Sequence, residues 1–169
     1  MVQETNSTVK NLVKTLSSFN DLSRVEARKA LEAIGKPAVP LLIEALKDPN
    51  NLTRWEAAKA LGEIGDTNAA PALVEALEDE EFDVRWLAAK ALIELNVKGL
   101  RPLFHALTEH ADSVFLREGA HHVLHDLAKG GLRKYLAPVL IALEDMDPTI
   151  QVPMAASHSL ELLVNAKIV

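Results

Sequence analysis

Four residues late in the chain have types and a spacing that can bind a metal ion. Glu118, His121, His122 and His125 stand at positions i, i+3, i+4 and i+7 of a predicted helix, so one face of that helix carries all four. A carboxylate and two imidazoles one turn apart can hold zinc or iron and leave a coordination position open. A solvated polar face, with some imidazoles charged near neutral pH, explains the same pattern. The spacing therefore leaves a metal site and a plain surface as alternatives.

The rest of the sequence carries no signature of a catalytic site. It contains no cysteine, which excludes disulfides, a thiolate metal site and a cysteine nucleophile. The segment Lys129-Gly130-Gly131 lacks the preceding strand and the Lys-Ser/Thr ending of a phosphate-binding loop. Nothing in the chain resembles a nucleophile elbow. We therefore predict no bound cofactor and favour a binding protein over an enzyme.

Composition narrows the class of protein further. The 169 residues carry a formal net charge of −6, which argues against a nucleic-acid partner because phosphate binding needs a basic face. Hydrophobic residues make up 49% of the chain and aromatic residues only 4%, which suits helices better than a β-sandwich. The chain does not open with a signal-peptide pattern, and no apolar run is long enough to span a membrane. These features predict a single cytoplasmic domain.

An internal repeat organises most of the chain. Thr53-Arg-Trp-Glu-Ala-Ala-Lys-Ala-Leu61 is followed by Val84-Arg-Trp-Leu-Ala-Ala-Lys-Ala-Leu92. Four arginines mark the register in steps of 30, 31 and 32 residues, namely Arg24, Arg54, Arg85 and Arg117. Each copy continues into a second apolar segment that contains a proline, and these prolines are Pro40, Pro71, Pro102 and Pro138. The repeat is therefore a unit of two segments.

Both segments of each copy are predicted to be helices. Apolar residues recur at helical spacing in each segment, and the prolines are placed in the first turns of the second helices, where proline costs least. The predicted N-terminal capping residues of the first helices are Ser23 with Glu26, Thr53 with Glu56, and Asp83 alone. Gly35 and Gly65 stand where a helix ends in a left-handed residue.

The predicted helix pairs must stack, because one pair cannot cover its own apolar stripe. We predict an all-α fold, a right-handed α-α superhelix of helical hairpins that forms one domain over residues 1–169. The predicted segments are an N-terminal cap helix at 1–20, helix pairs at 21–50, 51–82, 83–112 and 113–148, and a C-terminal cap helix at 149–169. A longer turn is expected in the fourth pair, around residues 129–134.

The repeat pattern resembles that of a known family. Val-Arg-Trp-x-Ala-Ala-Lys-Ala-Leu, followed by Ala-x-Pro-x-Leu-x-x-Ala-Leu, is similar to the short HEAT-like repeat of the phycobilisome lyase type over residues 21 to about 148. The resemblance implies an α-solenoid, a fold that serves protein-binding scaffolds, bilin lyase or chaperone subunits, and deoxyhypusine hydroxylase. That hydroxylase holds iron through His-Glu dipeptides, and this chain contains none.

Three functional hypotheses follow from the residues and the resemblance together. The leading one is a non-catalytic protein-protein interaction scaffold. The first alternative is a bilin lyase-type, chaperone-type or phycobilisome-associated subunit. The second is a metal-binding HEAT-like enzyme related to deoxyhypusine hydroxylase.

Two tryptophans occupy the same position in adjacent copies. A helical wheel places Trp55 and Trp86 about 180° from the buried stripe, with Lys59 and Lys90 nearby and Ile93 on the face of Trp86. Exposed tryptophans mark protein interfaces, whereas indoles folded between helices would only fill gaps. We predict that this face binds another protein or a second copy of the chain.

The second helices are expected to form the inner wall of the stack. Glu44, Glu75 and His105 occupy one outward position in successive copies. We predict a mildly acidic wall that contributes to partner binding and is unsuited to nucleic acid, which needs a basic trough.

The repeated arginines are assigned a structural role. Arg54 follows Asp48 by six residues, and Arg85 follows Asp79 by six. A guanidinium group suits carboxylates and backbone carbonyls at such junctions. We expect these arginines to tie the closing turn of one repeat to the opening helix of the next.

Overall fold

The computed structural model of the protein describes residues 2–145 and 147–169, with side chains from residue 5 onward. Over these ranges the chain is helical and contains no β-strand, which confirms the all-α prediction. The ten α-helices of these ranges are α1 (Val2–Thr15), α2 (Asp21–Ile34), α3 (Val39–Ala45), α4 (Asn51–Ile64), α5 (Ala70–Glu75), α6 (Phe82–Leu95), α7 (Leu100–Glu109), α8 (Val114–Leu127), α9 (Arg133–Leu143) and α10 (Pro148–Asn165). Met1 and Met146, which the predicted segments 1–20 and 113–148 include, lie outside the described residues.

The helices stack in two layers. In the first layer α2, α4, α6 and α8 pack side by side in chain order. The second layer holds α1, α3, α5 and α7, each of which contacts the first-layer helix that follows it in the chain. Leucine and alanine fill the space between the layers in one continuous core, and each buried leucine contributes roughly 1.5–3 kcal/mol. The predicted solenoid of helix pairs is therefore confirmed.

Small residues set the distance between neighbouring helices. A Cβ atom at Gly62 of α4 would lie 3.1 Å from Cβ of Ala91 in α6. A Cβ atom at Gly119 of α8 would lie 2.9 Å from Cδ2 of the buried Leu77. The interior is consequently thin, and Phe104 is the one aromatic residue of the described chain that lies in the core.

The starts of the first helices differ from the predicted ones. Asn20 caps α2 by accepting a hydrogen bond from the Ser23 backbone N–H at 3.1 Å, and Asn50 caps α4 by accepting one from Leu52 at 2.9 Å. The predicted capping residues Ser23 with Glu26, Thr53 with Glu56, and Asp83 are therefore wrong. Asparagine is as good an N-cap as serine or threonine, and it precedes them by three residues in both copies.

Residues with positive φ end the first helices, as predicted for Gly35 and Gly65, and Asn96 is a third such residue. Gly35 and Gly65 have φ angles of 71° and 66° at the ends of α2 and α4. Asn96 takes the same place after α6, with a φ of 57°. Asparagine tolerates positive φ better than most residues, so the third copy ends its helix without glycine.

The last two helices exchange the places that a regular stack would give them. In such a stack α9 would lie beside α7 and α10 beside α8, but α9 packs against α8, and α10 packs against α7 and α9. The turn between α8 and α9 contains Gly130 in a non-helical conformation, with φ −88° and ψ −159°. This turn lets α9 fold back along α8. The fourth helix pair is thus present with its longer turn, but its second helix is placed outside the regular stack.

The proline of the fourth copy also departs from the prediction. Pro40, Pro71 and Pro102 lie in the first turns of α3, α5 and α7 as predicted. Pro138 lies inside α9, which begins five residues earlier at Arg133. An interior proline removes one backbone hydrogen bond of the helix, so the repeat pattern alone does not fix the start of this helix.

The four repeated arginines tie the solenoid together, as predicted. The Nη1 atom of each donates a hydrogen bond to the backbone carbonyl six residues earlier; these pairs are Arg24 with Ser18, Arg54 with Asp48, Arg85 with Asp79, and Arg117 with Ala111. Nε and Nη2 of Arg54 also donate hydrogen bonds to Oδ2 and Oδ1 of Asp79 in the next turn, at 2.7 and 3.0 Å. The hydrogen bonds to Asp79 raise the pKa of Arg54 above its usual value. The arginines are therefore structural.

A buried carboxylate joins the first two repeats. Glu56 of α4 has no exposed surface, and its Oε1 lies 2.9 Å from Nε of Arg24. Its Oε2 lies 2.8 Å from Nε of Arg28 in α2. A charge removed from water is tolerated only when it is paired in this way. Glu56 thus fixes α2 against α4.

Neutralising Glu56 should destabilise the protein. Glu56→Gln removes the one carboxylate shared by Arg24 and Arg28, which keep only Asp21 and Glu32 as carboxylate partners. We expect a loss of about 3 kcal/mol in the free energy of unfolding. For a domain of this size that loss lowers the melting temperature by roughly 6–12 °C. Calorimetry or thermal circular dichroism measures it.

The matched control is Glu26→Gln, since Glu26 holds the same repeat position in the first copy and is exposed. We expect this variant to change stability by less than about 0.5 kcal/mol. Equal losses in the two variants would contradict the role assigned to the ion pair.

Candidate functional site

The two tryptophans lie on neighbouring helices of the first layer, outside the core. Trp55 of α4 is half-buried, and Nζ of Lys59 lies 4.9 Å above the centre of its ring system. Trp86 of α6 is 48% exposed. A lysine over an indole is held by the ring quadrupole, with a contribution of about 0.5–1 kcal/mol at an exposed position. The face predicted from the helical wheel therefore exists, although Trp55 is partly covered.

The surroundings of Trp86 combine packing and exposure. Its ring system lies 4.7 Å from the imidazole of His122 in α8, centre to centre. Lys90 is exposed one turn along α6, and Nζ lies 3.9 Å from Glu94 Oε1. Ile93 is partly buried against the core, so it supports the face more than it contributes surface. Trp86 thus bridges α6 and α8 while much of its indole stays in solvent.

Sequence reasoning missed an aromatic group beside Trp86. Phe82 at the start of α6 is 64% exposed, and Phe115 at the start of α8 is 43% exposed. The guanidinium carbon of Arg85 lies 4.0 Å from the centre of the Phe115 ring and 5.7 Å from that of Phe82. Val114 is exposed next to Phe115. We call Phe82, Trp86, Val114 and Phe115 the outer aromatic cluster.

A signal for the outer aromatic cluster was present in the sequence. Phe82 precedes Arg85 by three residues, and Phe115 precedes Arg117 by two. The two phenylalanines therefore hold different repeat positions, and a comparison in register does not align them. The signal lies in composition and position. The chain has only four phenylalanines, and two of them, Phe82 and Phe115, stand at helix starts outside the apolar stripe.

The four residues of the predicted metal site are not arranged around one point. His122 faces Trp86, while Nε2 of His121 lies 3.1 Å from Oε1 of Glu144 beyond α9. His125 lies against His121, with ring centres 5.9 Å apart, and Glu118 is exposed. Among the residues that the structure describes, no group of three or more His, Cys, Asp or Glu side chains is placed to hold a metal ion. The four residues thus lie on a polar face that packs against α6 and α9, and metal binding there stays an alternative to be tested.

One carboxylate on this helix has a shifted pKa. Asp126 accepts a hydrogen bond from Nζ of Lys129, and this bond lowers the pKa of the carboxyl below its usual value. Asp126 therefore stays charged at neutral pH and cannot serve as a general acid there.

The inner wall carries both signs of charge. Glu44 and Glu75 are exposed on α3 and α5, and Oε2 of Glu75 lies 2.6 Å from Nζ of Lys47. His105 of α7 is exposed beside Arg101. The wall, predicted to be mildly acidic, thus carries carboxylates on α3 and α5 and the cation Arg101 on α7.

A groove of about 730 Å³ runs along this wall near the start of α7. Its lining is mostly apolar and includes Ala70, Pro71, Val97 and Pro102, with Ile168 and Val169 from the end of the chain. Its charged or titratable lining residues are Lys98, Arg101 and His105. The groove is consequently an apolar cleft with a basic rim.

The end of the chain reaches this groove through the cap of α10. Lys167 has a φ of 56°, and the Ile168 N–H donates a hydrogen bond to the Leu163 carbonyl at 3.0 Å. This is the Schellman pattern that reverses a chain after a helix. Because Ile168 meets residues from the start of α7, α10 runs antiparallel to α7 and forms one side of the cleft.

Comparison with known proteins identifies the class. The model of the family described as HEAT repeats matches residues 9–93, and the chain belongs to this family. The chain is similar in structure to a chain of the complex of CpcE and CpcF of phycocyanin lyase from Nostoc sp. PCC7120, with a TM-score of 0.60 and 23% sequence identity over 91% of this chain and 98% of that chain. Its fold is that of the HEAT-like repeats of the phycobilisome lyase type.

Other comparisons add less. A crystal structure of an engineered protein matches with a TM-score of 0.48 and 20% identity, over 94% of this chain and 85% of that chain. No curated protein matches the chain significantly in sequence. No helix in the described part of the chain is long and apolar enough to cross a membrane.

Metal addition tests whether the histidine face binds a metal ion. A dedicated site saturated a hundredfold contributes about 2.7 kcal/mol, which raises the melting temperature by several degrees in a domain of this size. We expect Zn²⁺ or EDTA to change the melting temperature of tag-free protein by less than about 1 °C. A zinc-dependent rise that disappears in His121→Ala/His125→Ala would contradict this expectation.

Proposed function

We propose that the protein is a non-catalytic scaffold that binds another protein through the outer face of α4, α6 and α8. The observation that carries this proposal is the outer aromatic cluster, whose side chains stay in solvent although the chain has few aromatic residues. Aromatic residues are enriched at interfaces, and tryptophan is a frequent hot spot. A stacked solenoid offers the extended rigid surface that such binding uses.

The charged groups near this face support binding rather than catalysis. Glu56 is enclosed by two arginines and holds α2 against α4. Arg85 is held by the carbonyls of Asp79 and Glu80, at 2.7 and 3.1 Å. A general acid or base needs a free group within reach of its substrate, and these groups are already occupied by structural partners.

Removing both indoles should strongly weaken partner binding while the fold is kept. We expect Trp55→Ala/Trp86→Ala to weaken capture of partner proteins from a lysate of the source organism, or self-association, by about tenfold or more. Neither indole lies in the core, so far-ultraviolet circular dichroism should be unchanged. Quantitative pull-down and analytical ultracentrifugation measure these effects.

The control is Ile141→Ala/Met154→Ala, which removes two exposed apolar side chains from α9 and α10. This variant should bind as the wild type does. The proposal fails if the tryptophan variant retains the same partners and the same association state as the wild type.

The groove on the inner wall favours a second candidate function, binding of a linear tetrapyrrole by a bilin lyase-type or chaperone-type subunit. Its volume lies in the range of small-molecule sites. A linear tetrapyrrole has an apolar conjugated body and propionate groups, and the groove has an apolar lining and a basic rim at Lys98 and Arg101. The likeness to a chain of a phycocyanin lyase complex supports this candidate.

Absorbance titration distinguishes this candidate. We expect a linear tetrapyrrole to show a shifted absorption band with the wild type and a several-fold weaker affinity with Lys98→Ala/Arg101→Ala, because each removed cation is a partner of a propionate. The matched variant Lys10→Ala/Lys14→Ala removes two exposed lysines of α1 and should bind as the wild type does. The absence of any shift with the wild type would eliminate this function.

A further inference from the structure

We propose that the outer aromatic cluster receives a basic amphipathic helix of the partner protein, selected by the carboxylates around the cluster. This inference rests on the proposed scaffold function and adds the chemistry of the partner. It requires a continuous apolar strip, a surplus of negative charge around that strip, and dimensions that suit a helix.

The apolar strip crosses two helices. Phe82 and Trp86 stand one turn apart on α6, so they lie on the same side of it. Phe115 stands at the start of α8, and the Arg85 guanidinium bridges its ring to that of Phe82. Trp86 reaches α8 through its contact with His122. Arg85 and His122 therefore link the exposed rings of α6 and α8.

Carboxylates surround this strip. Residues 78–83 read Glu-Asp-Glu-Glu-Phe-Asp, five carboxylates in six positions. Asp79 and Glu80 are bound by Arg54, whereas Glu81 and Asp83 flank Phe82 and are exposed. The exposed carboxylates nearest Phe115 in the chain are Asp112, just before α8, and Glu118 on α8.

The cations of this region do not balance those carboxylates. Arg54 is held by Asp79 and Glu80, and Lys90 pairs with Glu94. Arg85 and Arg117 each donate to a backbone carbonyl six residues earlier. Glu81 Oε1 accepts a hydrogen bond from Asn51 Nδ2 at 3.3 Å, and among the described residues no ion pair involves Glu81, Asp83 or Glu118. The rim of the strip is thus negative and free to pair with an incoming cation.

The dimensions of the strip fit a helix of the partner. Neighbouring packed helices lie about 8–10 Å apart, so a helix of two to three turns, rising about 5.4 Å per turn, covers both. Its apolar face would meet the aromatic rings, and lysine or arginine side chains at its edges would reach the carboxylates. Nucleic acid and anionic lipid surfaces carry the same sign of charge as this rim and are repelled.

The test uses Trp86 as a reporter in full-length Trp55→Phe protein. The probe is a synthetic fourteen-residue amphipathic helix of leucine and lysine, and the comparison probe has glutamate in place of lysine. We expect the lysine peptide to shift Trp86 emission to shorter wavelength with a saturable curve. Phe82→Ala/Phe115→Ala should weaken this binding by about tenfold. Glu81→Gln/Asp83→Asn should weaken it about threefold at low salt and less at high salt, because salt screens exposed charges.

Matched controls keep the test specific. Glu26→Gln/Glu161→Gln removes the same charge from exposed positions on α2 and α10, and Ile141→Ala/Met154→Ala removes exposed apolar side chains elsewhere. Both should bind the lysine peptide as the parent does. Equal binding of the glutamate peptide, or no effect of the cluster and rim variants, overturns the inference.

The two proposals fail separately. If the lysine peptide does not bind but protein capture still depends on Trp86, the partner class is wrong and the scaffold function stands. If neither the peptide nor any protein depends on Trp86, both proposals are overturned. Circular dichroism of each variant confirms that lost binding does not come from lost folding.

Discussion

Close packing between successive first helices is the constraint on which the rest of the structure depends. At Gly62 a Cβ atom would come within 3.1 Å of the Ala91 Cβ, so α4 and α6 meet with almost no space between their backbones. An interior of this kind accepts alanine and leucine but has little room for rings, and Phe104 is the one aromatic residue buried in the described core. Rings added to such a chain must lie at its surface. The exposed phenylalanines and Trp86 are therefore not misplaced core residues, and this gives them weight as binding residues.

The repeat could be predicted from the sequence because the spacing of apolar residues shows which face of each helix is buried. Burial of an individual residue depends on the neighbouring copy, which spacing does not describe. Glu26 and Glu56 hold the same repeat position, yet Glu26 is exposed and Glu56 is enclosed by Arg24 and Arg28. Each glutamate also completes a capping box with Ser23 or Thr53, but Asn20 and Asn50, three residues before that serine and threonine, cap the helices. A local motif thus competes with alternatives that only the assembled stack decides.

Regular stacking also ends where the sequence loses its spacing. The longer turn at Ala128–Leu132 allows α9 to return along α8, and α10 then takes the place beside α7. Pro138 consequently lies inside a helix, although three equivalent prolines open theirs. The exchanged order brings Ile168 against the start of α7. One side of the inner groove is therefore formed by α10 and the residues after it, whose placement departs from the regular stack.

The two faces of the solenoid offer different chemistry. The outer face presents rings with a carboxylate rim, and the inner groove presents an apolar lining with a cationic rim near Arg101. The formal net charge of −6 is a sum over both faces. Composition therefore does not reveal that one face is acidic and the other basic. This difference arises because the first helices and the second helices lie on opposite sides of one thin core. A partner helix on the outer face and an anionic ligand in the groove would not compete for the same residues, and occupancy of one leaves the other accessible. The layered arrangement of the repeat, rather than any single residue, makes a two-sided scaffold possible.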